Sequence, residues 1–319
     1  PIVRDELNFV FEGCYTTHAD IKRMNRESEN LLITAETFSS LASFYGYPYL
    51  AKDFEYAWRN TCFNQFHDLL DGSAIHLSYQ FSKNLFQETK ELATKALNGA
   101  LQCLASRINT DGEGEAVIVF NPLTWERTDV VSFKIKGRDL NSSYRLVDIT
   151  GSPIPFQISG EEIIFVAENI PSLGYRVYHL LPFPETGKRD KILSSPITQV
   201  KAEAPATIEN DYFQLRIHPQ SGCILGLFDK LNQREVAILP EGRFSTEALE
   251  STGYMNLFQL YFEEPHSMSA WNIGNIRRIE NLIRGAQIEL LEKGPVRATI
   301  HVRHHYHNSV INQRISLYH

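Results

Sequence analysis

Nowhere does the chain run for about 18 residues without a charged or strongly polar side chain, so no stretch has the length of a membrane-crossing helix. Cysteine is scarce too. The four cysteines in 319 residues, Cys14, Cys62, Cys103 and Cys223, lie far apart and make no Cys-x-x-Cys pair. That pattern reads as structural thiols in a reducing, cytoplasmic setting. Blocks of like charge are absent: 31 Lys and Arg stand against 38 Asp and Glu, for a formal net charge of −7. Such a balance carries no nucleic-acid footprint and no polybasic membrane patch. Internal repeats and low-complexity tracts are missing as well. The opening Pro1-Ile2-Val3-Arg4 shows no signal-peptide pattern, and a start at proline makes a missing native N-terminus the expectation.

What is present is an ordinary globular composition, 43% hydrophobic and 22% charged, over a length that suggests two or three domains. Thr17 followed by Asp20 resembles a capping box, with Asp in place of Glu. Ile21, Met24, Ser28, Leu31, Ala35, Phe38, Ala42 and Tyr45 then recur at spacings of three and four, one face of a long helix closed by Gly46 and Pro48. A second helix is expected over 49–69, with Phe54, Trp58, Cys62 (or Thr61), Phe66 and Leu69 inward. A third follows Asp71-Gly72-Ser73 and runs to about 108, burying Phe81, Leu85, Leu92, Ala96 and Cys103. Long helices joined by short turns make an antiparallel bundle, here a three-helix bundle over 18–110.

Beyond Thr110-Asp111-Gly112-Glu113-Gly114 the period changes to two. Strands are expected over 117–120, 130–135, 144–149, 154–158, 163–167 and 175–180, giving a small β-sandwich over 111–183. Asn121-Pro122 ends its first strand, because proline cannot donate to a ladder. Residues 184–204, rich in Pro, Gly, Ser and charge, read as a linker. From 205 a second β-region begins: Phe213, Leu215 and Ile217 alternate, Pro219-Gln220-Ser221-Gly222 turns, and 224–228 returns. The chain stops inside a strand-like run, so a cut at the C-terminus is expected too. The fold class is therefore α+β.

The chemistry concentrates in Asn64-Gln65-Phe66-His67-Asp68-Leu69-Leu70-Asp71-Gly72-Ser73. A histidine and neighbouring carboxylates sit where an amphipathic helix meets a glycine turn. Neutral imidazole is a common transition-metal ligand, and an adjacent carboxylate can orient the ring or bind what the metal binds. The competing reading is that His67 caps the end of its helix. A second candidate is the alternating set His301, Arg303, His305 and His307. No carboxylate or cysteine accompanies it, which favours a solvated strand face over a metal site. Glu263, Glu264 and His266 read as a surface loop.

In order along the chain, Gly13-Cys14-Tyr15-Thr16-Thr17, Asn25-Arg26, Glu29, Trp58, Asn64-Gln65-Phe66-His67-Asp68, Gly72-Ser73 and Tyr79 resemble the glycoside hydrolase family 38 α-mannosidases. Asn121-Pro122-Leu123, Leu173-Gly174-Tyr175, Asp229-Lys230, Ala270-Trp271 and Glu292-Lys293-Gly294-Pro295-Val296-Arg297 continue the same resemblance. It covers nearly the whole chain, and what it matches is the middle of such an enzyme. One departure is Ser269-Ala270-Trp271-Asn272, where the family commonly carries acidic residues around the Ala-Trp pair.

The resemblance implies that residues 1–17 leave a catalytic barrel not included here, and that 205–319 is the N-terminal part of a large, truncated mannosidase-type β-sandwich. It implies a zinc-dependent retaining α-mannosidase acting on terminal α-mannosidic linkages in carbohydrate catabolism. One zinc ion would be held by two histidines and two aspartates. His67 would be the metal ligand supplied from this chain, and Asp68 a substrate contact. Nucleophile and acid/base would lie in the barrel, leaving no catalytic residue in these 319 and an inactive fragment. The substrate is expected to be an α-mannoside or oligomannoside, and a homo-oligomer is left open. The rival reading is a non-catalytic carbohydrate-binding or structural module of helices and β-sandwich.

Overall fold

The computed structural model describes residues 11–134, 144–182, 206–236, 255–269 and 271–319. The expected linker, and most of the expected exit segment, lie outside these described residues. The chain divides into two units: Pro1–Asn109 with Tyr261–Arg278, and Thr110–Leu260 with Ile279–His319.

In the first unit a 3-10 turn, Glu12–Tyr15, precedes α1 (Ala19–Ser43), α2 (Ala51–Asn64), the four-residue α3 (His67–Leu70) and α4 (His76–Ala105). The three long helices pack around Leu32, Ala35, Phe54, Ala57, Ala93 and Ala96. Small residues at the seam bring the helices close, and this shifts the buried line of α4 from the expected one. Tyr79, Ser82, Phe86, Thr89, Ala93, Ala96 and Ala100 face inward, whereas Phe81 is exposed and Leu85 and Cys103 are half-buried. Periodicity read from large apolar residues misses a seam built of Ala, Ser and Thr. The expected capping box is also corrected. The α1 N-cap is His18, at φ 51° with no side-chain cap bond; the Thr17 hydroxyl donates to Gly13 O, and Asp20 pairs with Lys83 at 2.7 Å.

The second unit begins as a sandwich of two antiparallel sheets. One has the order β1-β7-β3-β4 and the other β2-β6-β5, with β1 Glu115–Phe120, β2 Arg127–Lys134, β3 Tyr144–Asp148, β4 Pro153–Ile154, β5 Phe156–Ser159, β6 Glu162–Ile170 and β7 Tyr175–Pro182. Leu146, Ile163, Phe165, Tyr178 and Leu180 fill its core. The expected strand 154–158 is two strands in different sheets, β4 beside β3 and β5 beside β6. Pro155 stands at the crossing, where a residue without an N–H costs no ladder bond.

Farther on lie β8 (Ala206–Glu209), β9 (Phe213–Ile217), β10 (Ile224–Asp229) and β11 (Arg234–Glu235) in one sheet, and β14 (Gln287–Lys293), β15 (Arg297–Tyr306) and β16 (Ser309–Tyr318) in another. Ile208, Leu215 and Ile217 pack against Ala298, Ile300 and Val302. β12 (Gln259–Glu263) and β13 (Ile276–Asn281) form a two-stranded sheet of their own.

Candidate functional site

The expected second helix breaks before its last turn, and the break places the site. Asn64 is fully buried, and its side-chain amide donates to Ser82 O at 3.1 Å. Gln65 reaches back to α1, donating to Asn25 Oδ1 at 3.2 Å and Glu29 Oε1 at 2.7 Å. With both residues tied down, Phe66 turns to φ −54°, ψ 136°, and α3 starts at His67. His67 thus opens a short helix instead of closing a long one. Phe66 is consequently exposed, not inward.

The loop after α3 is fixed as firmly. Asp71 Oδ1 accepts from Ser73 N and Ser73 Oγ, each at 2.9 Å. The Tyr79 hydroxyl accepts from Ala74 N at 2.9 Å and donates to Asp68 O at 3.4 Å, while its ring stacks on His18 with centroids 3.8 Å apart. Gly72 adopts φ +95°, and a Cβ there would stand 2.7 Å from Thr17 O. Only glycine satisfies both conditions. Thr17 O also accepts from Lys22 Nζ at 2.6 Å. Burial pushes the Lys22 pKa down, with Asp71 opposing it, and burial pushes the Cys14 thiol and the Tyr79 hydroxyl up.

On this braced loop the imidazole of His67 stands out from the surface, its side chain 78% exposed. Nε2 lies 3.5 Å from Asp68 Oδ1, and the ring packs on Phe66 at 4.3 Å between centroids. Among the described residues its polar neighbour is this Asp68 oxygen, and no backbone group bonds to the ring. Asp68 Oδ1 also lies 3.5 Å from Ser73 Oγ, which leaves Oδ2 open.

Two adjacent donors, neither consumed by the backbone, fit one corner of a metal site. They do not make a whole one: among the described residues no group of three or more His, Cys, Asp or Glu side chains could hold a metal ion. The strand histidines divide between roles. His301 contacts Asn312 Oδ1 at 3.0 Å, His304 is buried in the opposite direction beside Phe258, and His307 lies in the turn after β15.

Sequence reasoning set Glu263, His266 and Trp271 apart from this loop. In the structure Glu263 Oε2 accepts from Gly274 N at 2.8 Å and meets His266 Nε2 at 3.1 Å, so the segment closes on itself. Trp271 O accepts from Gly13 N at 2.8 Å. Trp271 also lines a groove of about 730 Å³ together with Phe63, Phe66, Asp68, Ser73 and Phe81. Ala270, the other half of the Ala-Trp pair, lies outside the described residues.

Residues 10–104 match the α-mannosidase middle domain, and residues 208–319 match the glycosyl hydrolases family 38 C-terminal domain. The chain belongs to glycosyl hydrolase family 38. It is similar to α-mannosidase 2C1 of Mus musculus, at 26% identity over 82% of this chain and 21% of that protein. It is also similar to an α-mannosidase of Saccharomyces cerevisiae, at 31% identity over 45% of this chain and 13% of that one. The family 38 chain thus spans about a fifth of the length of the mouse relative it matches. In fold it resembles a family 38 glycosyl hydrolase structure from Enterococcus faecalis, with a TM-score of 0.68 at 14% identity over 95% of this chain and 38% of that one.

Proposed function

We propose that this family 38 chain is part of a zinc-dependent retaining α-mannosidase that removes terminal α-mannosyl residues. In this reading His67 supplies one metal ligand and Asp68 a substrate contact. A barrel elsewhere in the polypeptide supplies the remaining ligands, the nucleophile and the acid/base carboxylate. A retaining glycosidase needs those two carboxyl groups roughly 5 Å apart. The single observation that carries the proposal is the exposed His67–Asp68 pair on a loop that the rest of its unit braces.

Zinc, when bound, would hold sugar hydroxyls and favour a distorted ring. His67 contributes an imidazole lone pair from a ring oriented by Phe66 and Asp68. Asp68 contributes an open carboxylate oxygen to accept from a sugar hydroxyl. The four free cysteines suit the cytoplasm, which we propose as the location.

The test is zinc content, melting temperature and kcat/KM for His67→Ala and Asp68→Asn in the full-length enzyme. His67→Ala is expected to lose zinc and to cost more than the roughly 100-fold seen for outer partners of a metal site. Its melting temperature should hold, since the side chain fills no core. Asp68→Asn should keep most zinc and lose turnover. A His67→Ala enzyme with full zinc and near-normal turnover would overturn the assignment.

A further inference from the structure

We infer that Tyr79 is a positioning residue for the His67–Asp68 pair, and that it acts through its hydroxyl and not through its ring. That the pair meets a ligand rests on the reading proposed above; the brace itself stands on geometry. Tyr79 lies on the inward line of α4, three residues before Ser82, and between them these two residues reach both ends of the loop. Ahead of α3, Ser82 O accepts from Asn64 Nδ2 at 3.1 Å. Behind it, the Tyr79 hydroxyl accepts from Ala74 N at 2.9 Å and donates to Asp68 O at 3.4 Å.

The second attachment answers a need that α3 cannot meet itself. With four residues, its carbonyl oxygens have no donors inside the helix. Asp71 N bonds His67 O at 3.1 Å, and Gly72 N bonds Leu69 O at 3.3 Å. Asp68 O falls between them, and the Tyr79 hydroxyl reaches it. One phenolic oxygen thus ties the residue that carries the carboxylate to the chain leaving α3.

The ring is held separately. It is buried, lies against His18 with 21° between the ring planes, and belongs to a cluster with Ile21, Leu69 and Phe86. Removing the hydroxyl therefore leaves the ring packed. The loop also keeps its forward attachment at Asn64 and its own bonds from Ser73 to Asp71. What disappears is the rear tie, and the α3 turn gains freedom to pivot about Asn64. His67 and Asp68 ride on that turn with exposed side chains, so no core packing of their own resists the movement.

The experiment compares full-length enzyme carrying Tyr79→Phe, with zinc present, against the parent and Tyr47→Phe. Tyr47 is the matched control, since its hydroxyl also donates to a backbone oxygen of this unit, Ala96 O at 3.3 Å. In hydrogen-exchange mass spectrometry, Tyr79→Phe should exchange roughly 5-fold faster over residues 66–75, the factor that one ordinary hydrogen bond supports. The rest of α4 should exchange as in the parent. On an aryl α-mannoside, kcat/KM should fall at least about 10-fold, chiefly in kcat, because a misplaced pair still binds. Tyr47→Phe should match the parent over 66–75 and in turnover.

Parent-like exchange over 66–75 would overturn the brace, whatever the activity. Faster exchange with parent-like turnover would overturn the positioning role, and so would an equal loss of turnover in Tyr47→Phe. A parent that hydrolyses no mannoside rejects the catalytic reading instead, and exchange over 66–75 then decides by itself whether the hydroxyl holds the pair.

Discussion

The loop 66–75 and the turn 292–297 both carry motif residues, and both contain charged side chains, yet they spend them in opposite ways. At the turn, Glu292 accepts from Arg297 Nε at 2.6 Å, Arg297 Nη2 at 2.7 Å and Thr299 Oγ1 at 2.8 Å, and it also meets Ser159 Oγ. Arg297 bonds Ser159 and the Tyr318 hydroxyl, and its backbone N–H donates to Gln157 Oε1 at 3.1 Å. A Cβ on Gly294 would stand 2.1 Å from that same Gln157 oxygen. The Glu292 and Arg297 side chains are 17% and 24% exposed. Both Glu292 and Arg297 find their partners inside the unit, and the turn fastens β5 of the small sandwich to β14 and β15. In the loop the backbone N–H groups from Leu69 to Ala74 are all held, while the His67 imidazole and one Asp68 oxygen are not. A charged motif whose bonds close internally serves stability. One whose backbone is braced and whose side chains stay open leaves them free for the ligand we propose.

The largest expected effect breaks the turn. Arg297→Ala leaves Glu292 half of a desolvated pair, which costs about 3–5 kcal/mol. Urea unfolding of the full-length protein should show this loss, while kcat/KM per folded molecule stays within about twofold of the parent. A drop in turnover at unchanged stability would contradict the division between the two regions.

Acid sharpens the same contrast. Hydrogen bonding by Arg297 holds Glu292 down from its ordinary 4.5 to about 2. Because the folded value is the lower one, the contribution is complete above about pH 4.5 and disappears as pH falls toward 2. A shift of that size corresponds to about 3 kcal/mol. The stability gap between parent and Arg297→Ala should therefore narrow steadily between pH 5 and 2.5. A gap that stays constant would show that the pair contributes by packing alone.

Much of this was legible beforehand, and for identifiable reasons. The α+β class follows from periods of 3.6 and 2, which large apolar residues such as Ile21, Phe38, Ile163 and Phe165 mark clearly. The helix break at Phe66 was not legible, because its cause lies in distant partners: Asn25, Glu29 and Ser82 hold Asn64 and Gln65, and no local breaker intervenes. Trp271 beside Asp68 was illegible for the same reason, being some 200 residues away in sequence. Other motif patches turned out to be structural knots. Asn121, itself buried, donates to Trp125 O, Ile170 O and Pro171 O, tying its own patch to the backbone just ahead of Leu173-Gly174-Tyr175. Lys230 likewise joins Glu209 and Asn210 O, both at 2.5 Å. Resemblance alone does not separate such knots from the loop whose His67 and Asp68 side chains stay open; hydrogen-bond closure does.

The smallest expected effect on stability tests the loop itself. Gly72→Ala places a methyl group at φ +95°, where an L-residue is strained, and within 2.7 Å of Thr17 O. The strain alone costs about 1–3 kcal/mol. The contact is with backbone that Lys22 also holds at 2.6 Å, so Thr17 cannot retreat without loss. The loop then moves instead, carrying Asp71, Ser73 and the end of α3 with it. A misplacement of about 1 Å suffices to cost on the order of 100-fold in turnover. Gly72→Ala should thus reverse the Arg297→Ala result, with a modest fall in melting temperature and a large fall in kcat/KM. Both variants belong in one assay, measured as full-length protein at neutral pH with zinc present. If Gly72→Ala were as active per folded molecule as Arg297→Ala, the bracing of the loop would have no bearing on the His67–Asp68 pair.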